Sequence, residues 1–156
     1  MSFNPAKILQ EEFDLLKQEI ISLYEKKGMR ASGNFIEQLE VNSDATSGKL
    51  LGEKYAEQLE YGRLPGKQPP SSVIEQWIID KGIANKIEGN ISISSLAFLI
   101  ARKIGREGWD RRDYGGVDLV SEVITPERID KIIKQVGDGY VLDFIGKAVE
   151  QIKEVA

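Results

Sequence analysis

Leu9, Phe13, Leu16, Ile20 and Leu23 recur at intervals of four and three. That is the helical period, so the spacing predicts a helix across residues 4–28. Asn4 can cap its start, Pro5 suits the first helical position, and Gly28 suits the stop. Ile8, Leu15 and Ile21 widen the apolar stripe, as in a helix buried on more than one side or packed against another subunit. Gly33 then breaks the pattern. Phe35, Leu39 and Val41 alternate with Ile36, Gln38 and Glu40, which predicts a strand across 35–41 with Glu37 out of step. Turn-forming residues follow at Asn42-Ser43-Asp44 and Ser47-Gly48, and a second strand over 49–52 would close a hairpin.

Tyr55, Ala56 and Leu59 fit a short helical turn that Gly62 can end. The stretch from Leu64 to Pro70 should be extended, because each proline fixes its own φ and restricts the residue before it. Ser71 or Ser72 is the expected cap of a helix running to Gly82, with Val73, Ile74, Trp77 and Ile78 turned inward. Asn85–Asn90 reads as a polar turn. Ser92, Ser94 or Ser95 should open a further helix to about Glu107. Ile93, Leu96, Ala97, Ile100, Ala101 and Ile104, with Phe98 and Leu99, leave that helix apolar nearly all round, which implies deep burial or an interface.

Residues 108–116 form a polar, glycine-bearing segment. Leu119, Val120, Val123 and Ile124 fit a strand or a helical turn equally. Thr125-Pro126-Glu127 is a helix start. The face of that helix is Ile129, Ile132, Ile133 and Val136, and Gly137-Asp138-Gly139 is expected to break it. A last helix carries Val141, Ile145, Ala148, Ile152 and Val155, spaced 4-3-4-3. The elements together define an α+β, helix-rich chain, and 156 residues fit one domain, 1–156, with a core of its own.

Composition narrows the chemistry. Apolar residues make up 41% and charged residues 29%, as in ordinary globular proteins. No apolar run reaches eighteen residues, so no membrane-spanning helix is expected. The start, Met1-Ser2-Phe3-Asn4-Pro5, lacks the basic-then-apolar order of a secretory signal. Cysteine and histidine are both absent. That removes disulfides, thiolate metal sites and every Ser-His or Cys-His triad. Net charge is −4, and it sits in residues 1–60, where seven Lys/Arg face eleven Asp/Glu. The remainder is balanced, a poor profile for a duplex DNA binder.

Glu53, Glu57 and Glu60 could form an acid/base set, but a solvated face explains them as well. Arg102, Lys103, Arg106, Arg111 and Arg112, interleaved with Trp109 and Tyr114, have the residue types of a single-strand nucleic-acid surface. Glu107, Asp110 and Asp113 reduce the local charge to +2. An interface rich in Arg and Trp is the competing reading. Tyr61, Trp77, Trp109 and Tyr114 could line a ligand cage, although such aromatics more often sit in cores or interfaces. The glycines at 105, 108, 115 and 116 lack the Gly-Lys-Ser/Thr setting of a phosphate loop.

One stretch is distinctive: Tyr55-Ala56, then Glu60-Tyr61-Gly62-Arg63-Leu64-Pro65-Gly66-Lys67-Gln68-Pro69-Pro70. A helix bearing Trp77 follows it, then Leu96-Ala97-Phe98-Leu99-Ile100-Ala101-Arg102-Lys103-Ile104 with Gly105 and Gly108. From Tyr55 onward this order resembles the neck, or tail-completion, proteins of tailed bacteriophages and prophages, the head–tail joining and minor tail proteins. Members often have a short loop where this chain carries the Trp77 helix and the Asn85–Asn90 turn.

The resemblance implies an α+β fold with a long N-terminal helix packed on a small antiparallel sheet and several further helices. It also implies a non-enzymatic structural protein without cofactor or metal. Its place would be a sixfold or twelvefold ring in the virion, after assembly in the host cytoplasm. The partners would be copies of itself, adjacent neck, connector or tail-tube proteins, and DNA passing through the lumen, with no membrane. Tyr55, Tyr61, Gly62, Arg63, Pro65, Gly66, Lys67, Pro69, Pro70 and Trp77 are the residues expected to shape docking. Arg106, Trp109, Arg111 and Arg112 are the expected nucleic-acid or partner contacts. The alternative is a small nucleic-acid-binding or regulatory module using the Arg-rich segment 102–114.

Overall fold

The computed structural model describes residues 3–112 and 116–155. The elements in chain order are α1 (Pro5–Lys26), α2 (Asn34–Glu37), β1 (Glu40–Ser43), β2 (Gly48–Leu51), α3 (Ala56–Tyr61), α4 (Ser71–Asp80), a 3-10 turn (Ile83–Lys86), α5 (Ile93–Glu107) and α6 (Pro126–Val155). The class is α+β and helix-rich, with a long N-terminal helix and a two-stranded antiparallel sheet. The chain forms two compact units. Unit 1 takes residues 1–21, 39–52 and 120–156; unit 2 takes 22–38 and 53–119.

In unit 1, Leu9 and Leu16 of α1 bury against Ile132 of α6, with Phe13, Val123, Ile124 and Val136 around them. The hairpin pairs Glu40 with Leu51 and Ser43 with Gly48. It attaches to α1 through Ser43 Oγ, which donates to Gln10 Oε1 at 2.8 Å. Thr125 caps α6: the Arg128 N–H donates to its hydroxyl at 3.2 Å, and Pro126 occupies the first helical position as expected. Arg128 also reaches both oxygens of Glu19, at 3.0 and 3.2 Å.

The hairpin turn is held by one carboxylate. Asp44 Oδ1 accepts from the N–H groups of Thr46 and Ser47 at 2.7 and 2.8 Å, and the Ser47 hydroxyl donates to Oδ2 at 2.8 Å. These bonds, led by the Thr46 N–H, lower its pKa from 3.8 to about 2. A depressed folded-state pKa favours the ordered turn above 3.8 and loses that contribution as pH falls toward 2. A carboxyl NMR titration should therefore give Asp44 a midpoint near 2, moving only part of the way back toward 3.8 in a Thr46→Ala/Ser47→Ala variant, which loses the two hydroxyl donors and keeps the two backbone ones. An unshifted midpoint in the unaltered chain would count against the turn.

Unit 2 has its core where α4 meets α5. Ile74, Ile78, Ala97 and Ala101 are buried there, with Ile83, Ile87, Leu96, Ile100 and Ile104 packed around them. The two alanines let the helices approach closely. A second centre stacks Tyr24 on Phe35, centroids 4.6 Å apart, with Tyr55 6.2 Å beyond. The end of α1 is a Schellman stop: Met29 N–H donates to Tyr24 O and Gly28 N–H to Glu25 O. The glycine stop read from sequence is therefore observed.

Three sequence expectations are corrected. Residues 34–37 are helical rather than extended, and β1 begins only at Glu40. Phe35 and Leu39 are both buried and four apart, a spacing that suits a helical turn as well as an alternating strand. The Gly137-Asp138-Gly139 segment does not break α6, which is continuous for 30 residues. Two interior glycines cost about 1 kcal/mol each relative to alanine. At Gly139 that cost is offset by packing, since a Cβ there would lie 2.0 Å from the Phe3 ring, which meets Tyr140 edge-on at 4.9 Å. Tyr140 in turn donates to Ala45 O at 2.8 Å. Finally, Pro70 rather than a serine occupies the cap position of α4, with no side-chain cap bond. On that helix Ile74 and Ile78 are buried, but Val73 is exposed and Trp77 is only partly covered. The serine cap appears at α5 instead, where Ser92 Oγ accepts from Ser95 N at 3.1 Å.

Candidate docking surface

Residues 62–70 link α3 to α4 in unit 2, and backbone contacts fasten them to the end of α5. Gly62 stops α3 at φ 78°, ψ −164°, a conformation essentially reserved for glycine. Arg63 and Trp109 then form an antiparallel bridge, each N–H donating to the other's carbonyl at 2.6 and 2.7 Å. Gly66 N–H donates to Gly105 O at 2.9 Å. The Arg63 guanidinium folds back and donates to Lys67 O. The crossing is thus locked by its own residues and by the α5 terminus.

What it presents outward is apolar at two points. Tyr61 is 71% exposed and Leu64 85% exposed. Pro65, Gly66, Lys67 and Pro70 are exposed as well, whereas Pro69 is buried and works as a packing residue. Tyr55 is half-turned into the Phe35 stack. Burial first, then Tyr24 and Glu53, raises its phenol pKa above 10.0. Trp77 lies on the exposed side of α4. Leu64 was absent from the expected docking set, although a leucine between arginine and proline in an extended crossing has no helix or sheet face to bury it. Phe98 and Leu99 are each about half exposed, so α5 is not buried all round, the first branch of the expectation.

The Arg-rich segment divides. Arg106 is exposed in the last turn of α5. Trp109 joins the crossing through the Arg63 bridge, so residues assigned to two separate surfaces meet in one place. Arg111 turns to the end of α1 and donates to Lys27 O at 2.6 Å. Lys27 donates to Val117 O at 2.6 Å, and Lys81 to Gly28 O. Burial first, then the nearby Arg111 charge, depresses the Lys81 pKa. Two cations, Arg111 and Lys81, therefore cover the carbonyl end of α1, where the helix dipole favours positive charge. Arg112 lies 3.8 Å from Asp110, whose carboxylate also accepts the Arg112 N–H at 2.8 Å. Asp113, Tyr114 and Gly115 lie outside the described residues. In unit 2 the described ring contacts join Tyr24, Phe35 and Tyr55 rather than Tyr61, Trp77 and Trp109.

The carboxylates Glu53, Glu57 and Glu60 do not form one face. Glu53 precedes α3, Glu57 is exposed, and Glu60 is buried with its carbonyl accepting from Asp118 N at 2.9 Å. Among the described residues no group of three acids, histidines or cysteines is placed to hold a metal ion. No described helix is long and apolar enough to cross a membrane.

The fold and the surface define a small helix-rich α+β protein with a rigid, apolar-tipped crossing. No family model matches the chain, and no curated protein or solved structure matches it either.

Proposed function

We propose that this chain is a non-enzymatic structural protein of the phage neck, forming a ring that joins the tail to the head and lets DNA pass. The resemblance of the chain from about Tyr55 onward to tail-completion proteins supports the reading. The observation that carries it is the crossing itself: a locked backbone holding Tyr61 and Leu64 in water. Apolar side chains fixed in exposed positions lose little entropy when a partner covers them, which makes them suitable anchors. Arg63, Pro65 and Trp109 set the shape, while Tyr61, Leu64 and Lys67 supply the contact. Trp77 extends it.

The test uses particles assembled from a genome carrying Tyr61→Ala/Leu64→Asp. Both side chains are exposed, so the purified variant should melt like the unaltered chain. Its association with the neighbouring neck component should weaken about 100-fold, the effect of removing two anchors worth about 1–2 kcal/mol each. Full heads without joined tails are the expected product. Normal, tailed, infectious particles would sink the reading.

A further inference from the structure

The second half of α6 is amphipathic, and its apolar face is exposed among the described residues. Val141, Ile145, Ala148, Ile152 and Val155 keep the alternating four–three spacing of a coiled-coil seam over about 20 Å of helix. In the described unit they face water: Ile152 is 68% exposed and Val155 89% exposed. The seam is also flanked by apolar residues, since Leu142 and Val149 lie on one side and Phe144, 72% exposed, on the other. A seam of two positions in seven suits a pair of helices, and a wider stripe suits a helix gripped by more than one neighbour.

We infer that this half of α6 binds the same half of α6 in other copies of the chain, forming a homotypic helix bundle. The inference rests on the ring reading only in taking the partner to be another copy. Charge placement argues for self-association. The ionic residues of the segment, Asp143, Lys147, Glu150, Lys153 and Glu154, all lie off the seam and its flanks. Lys147 and Asp143 pair with each other at 2.7 Å on that outer side. Two copies therefore meet apolar against apolar, with no like charges opposed, and no complementary charge pattern is offered to a foreign helix. The area points the same way. The exposed side chains amount to on the order of 500 Å², taking roughly 60–120 Å² for each fully buried side chain. That is the upper end of the ~300–600 Å² of a typical monomer's largest apolar patch, and more than half of the ~800 Å² each partner buries in a stable interface.

The experiment combines sedimentation velocity on the full chain with cysteine cross-linking, for which a cysteine-free protein is well suited. The unaltered chain should associate as concentration rises. In Ile145→Glu/Ile152→Glu the half-assembly concentration should rise at least ~100-fold, because carboxylates would enter a dry interface. Under mild oxidation, Ile145→Cys or Ile152→Cys should cross-link to itself if the helices are parallel, and Ala148→Cys if they are antiparallel. Lys147→Cys, on the outer side, should associate like the unaltered chain and stay uncross-linked. Cross-linking at the seam supports the inference even if the copies stop at dimers, an outcome that would count against the ring alone. A ring that forms without seam cross-links, and is unmoved by the two glutamates, overturns the inference and leaves the ring standing. A chain monomeric at every concentration, with no cross-link above the Lys147→Cys control, also overturns it and assigns the face to a different partner.

Discussion

Replacing Gly108 with alanine is expected to cost unit 2 about 3–5 kcal/mol, a large part of the ~5–15 kcal/mol that holds a domain folded. Two effects add. Gly108 ends α5 at φ 76°, ψ −165°, where a residue with a Cβ is strained by about 1–3 kcal/mol. The added carbon would also lie 2.2 Å from Arg63 O and 3.0 Å from both Leu64 C and Pro65 Cδ. Those neighbours are backbone and proline ring, so relief requires opening the Arg63–Trp109 bridge. Gly66 is the control, because nothing lies within 4 Å of a Cβ built there and its φ is not positive. Gly66→Ala should stay within about 0.5 kcal/mol. Urea unfolding distinguishes the two by midpoint at unchanged slope. A Gly108→Ala loss below about 1 kcal/mol would mean that the crossing does not pass as closely over α5 as described.

Phe35→Ala is expected to cost a similar amount, about 3–5 kcal/mol. The ring is 1% exposed and stacked on Tyr24 at an interplanar angle of 27°. Truncation removes the middle of the Tyr24–Phe35–Tyr55 row and leaves a cavity between two rings that cannot close toward each other. Phe35→Leu keeps most of the volume and should cost less than about 1.5 kcal/mol. Near-UV circular dichroism supplies a second readout, because the tyrosine signal should fall in both variants and further in the alanine form. Tyr24 and Tyr55 both have raised phenol pKa values, burial being the first cause at each. Opening the row should bring both back toward 10.0. Titration in Phe35→Ala identical to that of the unaltered chain would show that the row does not shield them.

Helices with both a stripe and a stop were legible in the chain. Leu9, Phe13 and Leu16 marked α1, Gly28 ended it, and Thr125-Pro126 opened α6, because each of these signals acts within a turn or two of backbone. The segment after Gly33 misled, since Phe35 and Leu39 satisfy two periods at once and only tertiary burial decides between them. The Gly137-Asp138-Gly139 segment misled for a related reason. Local propensity favours a break there, and the contact that opposes it comes from Phe3, more than a hundred positions earlier. The candidate surface divided in the same way. The extended run from Leu64 to Pro70 was legible from its prolines, and Tyr61, Arg63 and Lys67 were marked only through the resemblance; the burial of Pro69 and the diversion of Arg111 to Lys27 O depend on partners that no local pattern contains.

Both units are discontinuous in sequence, and this governs when each can form. Unit 2 closes only when Arg111 and Val117 reach the end of α1, contacts that span 84 and 90 positions. Unit 1 waits longer, since Ile132 must arrive to bury Leu9 and Leu16. At about 5–20 residues per second, α1 leaves the ribosome several seconds before its partners, with its apolar side chains bare. During that interval the net negative charge of residues 1–60 disfavours aggregation. A product that stalls before Ile132 is thus not a shorter protein but an unfinished one, open to capture by proteases.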